Sequence, residues 1–136
     1  MSHEVYQQAI KDLAGREAGR LVAPTASARL DNPLCGDRID LDVTVADGTV
    51  TGLGQVTRGC LLCKASATVA VEQATGLEVA RAVALVEDVR AMLRQGASPP
   101  LAGLAAFEAV RPYKSRHECV LLPFKALAKA LGSGLP

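Results

Sequence analysis

One stretch of the chain alternates strictly between apolar and polar residues, and much of the rest repeats at helical spacing. Arg38 to Val45 reads Arg-Ile-Asp-Leu-Asp-Val-Thr-Val. That period of two predicts a strand with one buried and one wet face. Asp47-Gly48 follows and predicts a hairpin turn, because both residues tolerate positive φ. A second strand is expected over about Val50 to Thr57, and a short third one around Ala28 to Asp31, since two strands alone are rarely stable. Upstream, Glu4 to Leu21 predicts an amphipathic helix with Val5, Ile10, Leu13 and Leu21 apolar, weakened by Gly15 and Gly19. Val22 to Leu34 holds Pro24 and Pro33 and reads as extended chain and turns.

After Gly59 the period lengthens. Cys60 to Thr75 predicts a helix with Leu61, Leu62, Ala65 and Val69 at helical spacing, ended by Gly76. Leu77 to Arg94 predicts another, with Val79, Val83, Val86, Val89, Met92 and Leu93 on its stripe. Leu101 to Val110 is a short Ala-rich helix, and Arg111 to Glu118 a polar loop. A last helix covers Cys119 to Leu131. Pro123 is expected in or near its first turn, so the helix should begin slightly after Cys119. The Gly-Ser-Gly tail is expected to fray. Strands first and helices afterwards predict an α+β fold: a small three-stranded antiparallel sheet with helices packed on one face. At 136 residues, the expectation is a single domain spanning 1–136.

Composition removes several classes of function. Fifteen basic against fourteen acidic residues leave a net charge of +1, without the basic excess of a nucleic-acid binder. Aromatics are 3% with no Trp, which argues against stacking on single strands. No apolar run approaches a membrane span of ~20 residues, and the N-terminus lacks the pattern of a signal peptide. A soluble, cytoplasmic protein with no nucleic-acid or membrane partner is the expectation.

Four cysteines remain: Cys35, Cys60, Cys63 and Cys119. They are too few for a disulfide scaffold, which leaves inert core thiols, metal ligands or redox groups. Cys35, Cys60 and Cys119 all fall at element boundaries, where a rigid scaffold holds loop ends and helix starts favour thiolates. Asp37, two residues after Cys35, could complete a four-coordinate shell of three thiolates and one carboxylate. The carboxylate is the harder donor, so one position of such a shell is labile. Spacing alone matches no compact zinc-finger pattern, and it leaves inert thiols and ligands equally open. Asp37 by itself reads as a turn cap.

The flanking residues carry more. Asn32-Pro33-Leu34-Cys35-Gly36-Asp37 resembles the first motif of the NifU N-terminal, IscU and SufU family of iron–sulfur cluster assembly proteins. Gly59-Cys60 followed by Ala65-Ser66 resembles its second motif, and Arg116-His117-Glu118-Cys119 with Leu121, Leu122 and Lys125 its third. The long interval from Cys60 to Cys119, and Arg116 three residues before the last Cys, are similar to the SufU-like branch. Glu118 stands where IscU-type proteins carry a His. The resemblance implies a site of Cys35, Asp37, Cys60 and Cys119 holding zinc or a 2Fe–2S cluster. It also implies a SufS-like cysteine desulfurase and iron–sulfur acceptor proteins as partners.

Two functions share that ligand set: a cluster scaffold, and a zinc-dependent sulfurtransferase in which Cys119 accepts persulfide sulfur with Arg116 in support. Cys63 departs from the family and reads as a small core residue or a spare thiol. His117 is either an exposed loop residue or an extra ligand. Arg58, Arg111, Lys114 and Arg116 form a basic rim that could meet an acidic partner. A third function, a thiol–disulfide oxidoreductase using Cys60-Leu61-Leu62-Cys63, would need a thioredoxin-like βαβ context that the sequence lacks.

Overall fold

A computed structural model describes residues 3–132, with side chains described from Gln7 onward. The expectations for the Val5 side chain and for the tail from Ser133 lie outside what is described. The elements in order are α1 (His3–Ala14), β1 (Ala26–Asn32), β2 (Asp37–Ala46), β3 (Thr49–Arg58), α2 (Leu61–Ala74), α3 (Val79–Gln95), two 3-10 segments (Ala102–Val110 and Lys114–Arg116) and α4 (His117–Leu131). The three strands form one antiparallel sheet in the order β1-β2-β3.

The alternation in β2 sorts the sheet's faces. Ile39, Leu41 and Val43 are fully buried, opposite Leu30, Ala28 and Ala26 on β1 and Thr57, Gln55 and Leu53 on β3. The β2–β3 hairpin turns through Asp47 and Gly48 at φ 53° and 73°, the paired positive values of a type I′ turn. α4 covers β1 and β2, α2 covers β3, and α1 and α3 pack on α2 and α4. Small residues let α2 approach closely: Ala65, Ser66, Ala67 and Ala70 are buried, and the Ser66 hydroxyl donates to the Val120 carbonyl of α4 at 2.6 Å.

Five sequence expectations are corrected. α1 stops at Ala14, because Gly15 and Gly19 are poor helix formers; Gly19 turns at φ 75° and pairs with Gln55 on the edge of β3. Leu61 is exposed rather than part of the α2 core. In α3 the buried set is Ala82, Leu85, Val89, Met92 and Leu93, and Val83 points outward. Ala102–Val110 is 3-10 rather than α-helical. α4 begins before Cys119, at His117, which places Pro123 inside the helix in its second turn.

The segment 16–25 straps the outer face of the sheet. Asp42, buried on that face, accepts the Arg20 guanidinium (2.7 and 2.8 Å), the Leu21 N–H (3.0 Å) and the Ser27 hydroxyl (2.5 Å). A Cβ on Gly54 would collide with the Gly19 carbonyl, so the strap needs glycine there. Hydrogen bonding from Arg20, with help from Ser27 and Leu21, outweighs burial and lowers the Asp42 pKa from 3.8 to about 2. A depressed carboxylate stabilises the fold above its unfolded pKa and loses that contribution as pH falls toward the folded value. Asp42→Asn should therefore cost about 1–2 kcal/mol at neutral pH, discounted for the half-exposed Arg20. The gap between parent and variant should close between about pH 4 and pH 2. Urea unfolding at both pH extremes checks this, and a gap that persists at pH 2 would contradict it.

Candidate metal centre

Three chain segments converge at the end of the sheet nearest the start of α4. The first is the β1–β2 connection. Asn32 and Asp37 are cross-strand partners on the same face as Ile39, so both side chains point toward the helix layer, and both are buried. Between them the chain reverses tightly. The Asn32 carbonyl accepts the N–H groups of Cys35 (3.2 Å) and Gly36 (2.8 Å), the Asn32 side-chain oxygen accepts the Leu34 N–H (3.3 Å), and Gly36 sits at φ 72°. This turn presents Cys35, exposed, over the strand ends.

The second segment is the β3–α2 junction. Gly59 adopts φ 145°, and a Cβ there would overlap the Asp37 carboxylate. Without a side chain at 59, Cys60 reaches Asp37 twice: its N–H donates to Oδ1 at 2.9 Å, and its Sγ lies 3.8 Å from Oδ2. Cys60 is the N-cap of α2 but makes no side-chain capping bond, and its thiol faces the carboxylate instead.

The third segment is the first turn of α4, which carries Cys119. Its Sγ lies 3.5 Å from the Cys35 Sγ, and Asn32 Nδ2 points at it from 4.0 Å. The ligand atoms of Cys35, Asp37 and Cys119 all lie within 4.8 Å of one another, and Cys60 stands beside them through Asp37. The edge of a tetrahedron with metal–sulfur bonds of ~2.3 Å is ~3.8 Å. The 3.5 Å and 3.8 Å separations are close to that edge. Burial, reinforced by the neighbouring Cys35 and Cys60 thiols, holds the Cys119 thiol well above its usual range. A cation at the centre of this group reverses that preference, because a buried thiolate is stable when paired.

The other sequence candidates are not among the clustered ligands. Cys63 faces the core of α2, and burial pushes its thiol up strongly, so Cys60 has no accessible resolving thiol beside it on the helix. His117 is neither exposed nor one of the clustered ligands. It is buried at the start of α4, and its Nε2 donates to the Arg111 carbonyl at 3.0 Å. Arg116 is exposed and lines an apolar groove of ≈ 460 Å³ with Leu61, Leu62 and Tyr113. The basic rim is divided: Arg58 borders the Asp37 end of the sheet, whereas Arg111 turns inward to the carbonyls of Met92 (2.8 Å) and Ala97 (2.9 Å). Lys64 makes no ion pair with Asp37, whose oxygens face Cys60. Asn32 and Gly59 are positioning residues to which sequence reading assigned no role; the Asn-Pro and Gly-Cys pairs flanking the ligands were the available signal.

Comparison with known proteins matches the family described as the NifU-like N terminal domain over residues 4–120. The iron–sulfur cluster assembly scaffold protein IscU of Thermotoga maritima is 30% identical over 131 residues, covering 93% of this chain and 92% of that protein. Among solved structures, the N-terminal part of a NifU-like protein from Brucella abortus superposes with a TM-score of 0.86 at 30% identity, covering 94% of this chain and 92% of that one. A putative iron–sulfur cluster assembly scaffold protein for the SUF system from Fervidobacterium islandicum superposes with a TM-score of 0.84 at 26% identity, covering 96% and 99%.

Proposed function

The chain belongs to the NifU-like N-terminal domain family, and from that premise we propose that it is a single-domain scaffold for iron–sulfur cluster assembly. Cys35, Cys60 and Cys119 hold iron and sulfide as cargo, with Asp37 as the exchangeable fourth donor. The observation that carries this reading is the approach of Cys35, Asp37 and Cys119, from separate segments, to within 4.8 Å of one another. The donor set suits thiophilic metals, and the single hard carboxylate weakens one position. That asymmetry serves a centre that passes its load on. A SufS-like cysteine desulfurase supplies sulfur, and acceptor proteins take the product.

One observation favours a second reading. The ligand atoms of Cys35, Asp37 and Cys119 lie mutually within 4.8 Å, a spacing that suits one small ion, with Cys60 beside them at Asp37. In that reading zinc occupies the centre and the protein is a sulfurtransferase. In that reading a partner approaches the buried Cys119 past the exposed Cys35, whose Sγ lies 3.5 Å from it. The Cys119 thiolate then attacks the terminal sulfur of the partner's persulfide. One S–S bond forms, one breaks, and the partner's cysteine leaves as a thiolate, so no outside oxidant or reductant is required. In this reading Arg116, exposed beside the apolar groove, meets the incoming partner.

Metal and sulfide analysis of protein purified without added metal separates the two readings: iron with sulfide supports the scaffold, stoichiometric zinc the sulfurtransferase. In either case Asp37→Cys closes the labile position. Transfer of the bound metal to a chelator should slow by about tenfold or more, equivalent to ~1.4 kcal/mol on the barrier. Unchanged transfer would show that Asp37 is not the exchangeable donor.

A further inference from the structure

We propose that Cys35 is a modification site for low-molecular-weight disulfides, and that Cys119 resolves the adduct and closes the empty centre as a Cys35–Cys119 disulfide. Accessibility separates the four thiols. Cys35 is exposed, Cys60 is partly covered, and Cys63 and Cys119 are buried. Residues 33–36 are exposed along the whole turn, so a disulfide of the glutathione kind reaches the Cys35 Sγ directly. Cys60 instead turns its thiol to the Asp37 carboxylate, 3.8 Å away. The resolving thiol is already in place: the Cys119 Sγ lies 3.5 Å from that of Cys35, in hydrogen-bond contact. A disulfide bond is ~2.04 Å long, so the two sulfurs must close by ~1.5 Å. Cys119 is fixed by its burial in the first turn of α4, whereas the turn carrying Cys35 has its backbone N–H groups tied to Asn32 alone. The movement therefore falls to Cys35.

The chemistry is two rounds of thiol–disulfide exchange. The Cys35 thiolate attacks one sulfur of the small disulfide; a mixed disulfide forms on Cys35, the small disulfide's S–S bond breaks, and one small thiolate leaves. The Cys119 sulfur then attacks the Cys35 Sγ; the Cys35–Cys119 bond forms, the mixed disulfide breaks, and the second small thiolate leaves. The two protons lost by the cysteines go to the departing thiolates. Two protein thiols are oxidised and one small disulfide is reduced to two thiols, so the small disulfide is the only oxidant required. The consequence for loading rests on the function proposed above. A Cys35–Cys119 bond removes two of the three sulfur donors, so the oxidised chain takes up no metal until a thiol reductant reopens it. The exposed turn thereby ties loading of the centre to the redox state of the surrounding thiol pool.

Incubation of the reduced, metal-free full chain with oxidised glutathione, followed by non-reducing peptide mapping by mass spectrometry, tests the chemistry without reference to any metal. The expected product is a Cys35–Cys119 link, with Cys60 and Cys63 free to alkylate after unfolding. Cys119→Ser should stop at a glutathione adduct on Cys35, and Cys35→Ser should leave Cys119 reduced. Chelator competition on the oxidised parent chain should show zinc affinity lowered at least about 100-fold and restored by dithiothreitol. A link that forms while zinc uptake is undiminished would uphold the exchange chemistry and overturn the metal-centre reading instead, so the two failures are distinguishable. A glutathione adduct that persists on Cys35 in the parent chain, a link from Cys60 in place of Cys35–Cys119, or glutathione on Cys119 in Cys35→Ser would each overturn the proposal.

Discussion

Cys119→Ser should bind zinc or iron at least about 100-fold more weakly than the parent chain, the upper range reached by losses outside the first coordination shell. The serine hydroxyl keeps nearly the size of the thiol, and Asn32 Nδ2 remains a donor toward it. The fold should therefore survive, with metal-free stability changed by about 1 kcal/mol. A buried hydroxyl, however, does not ionise to give a soft anionic ligand, so the centre keeps only two sulfurs. Sulfur acceptance from a desulfurase should be lost in the same variant. Cys63→Ser is the matched control. It removes a thiol that is buried in α2 and is not one of the clustered ligands, and it should alter stability while leaving metal content unchanged. Competition against a chromogenic chelator measures both, and equal affinities for the two variants would exclude Cys119 as a ligand.

Gly59→Ala should be as damaging without touching a ligand. The backbone at φ 145° is disfavoured for any L side chain, and the added Cβ would lie 2.8 Å from the Asp37 Cγ and overlap its Oδ1. Strain in such backbone regions costs ~1–3 kcal/mol before the clash is counted. Relief requires Asp37 to swing away, which breaks its bond to the Cys60 N–H and separates two segments of the site. Lower thermal stability together with loss of bound metal is the expected result; Gly76→Ala, which also sits at positive φ (98°) but has open space around it, should lose stability alone. Full metal occupancy in Gly59→Ala would show that Asp37 need not stand where it does.

The hairpin was legible because its physics is local: period-two alternation and Asp47-Gly48 define register and turn with little help from the rest of the chain. Cys35, Asp37, Cys60 and Cys119 could be named from motif resemblance, whereas their spacing alone left ligands and inert thiols equal. What joins them is tertiary. Asn32 and Asp37 share a face through strand pairing, and Cys119 arrives over that face only because α4 crosses β1 and β2. The start of α4 escapes a proline rule framed for isolated helices, because its second turn is buried and packing of Leu121, Leu122 and Phe124 outweighs the missing N–H. His117 misleads for a related reason. A histidine in a polar stretch looks exposed, and only the fold shows the Arg111 carbonyl waiting for its Nε2. Arg111, grouped by sequence with a basic rim, spends its guanidinium on main-chain carbonyls of the 92–97 region.

One exchangeable centre should join three thiolates and one carboxylate from separate segments. Its most direct test is cobalt substitution read by thiolate-to-metal charge-transfer absorption. One cobalt per chain is expected, with the band losing one thiolate's share in each of Cys35→Ser, Cys60→Ser and Cys119→Ser and keeping its full intensity in Cys63→Ser. A band that ignores Cys35 or Cys119, or that depends on Cys63, would contradict it.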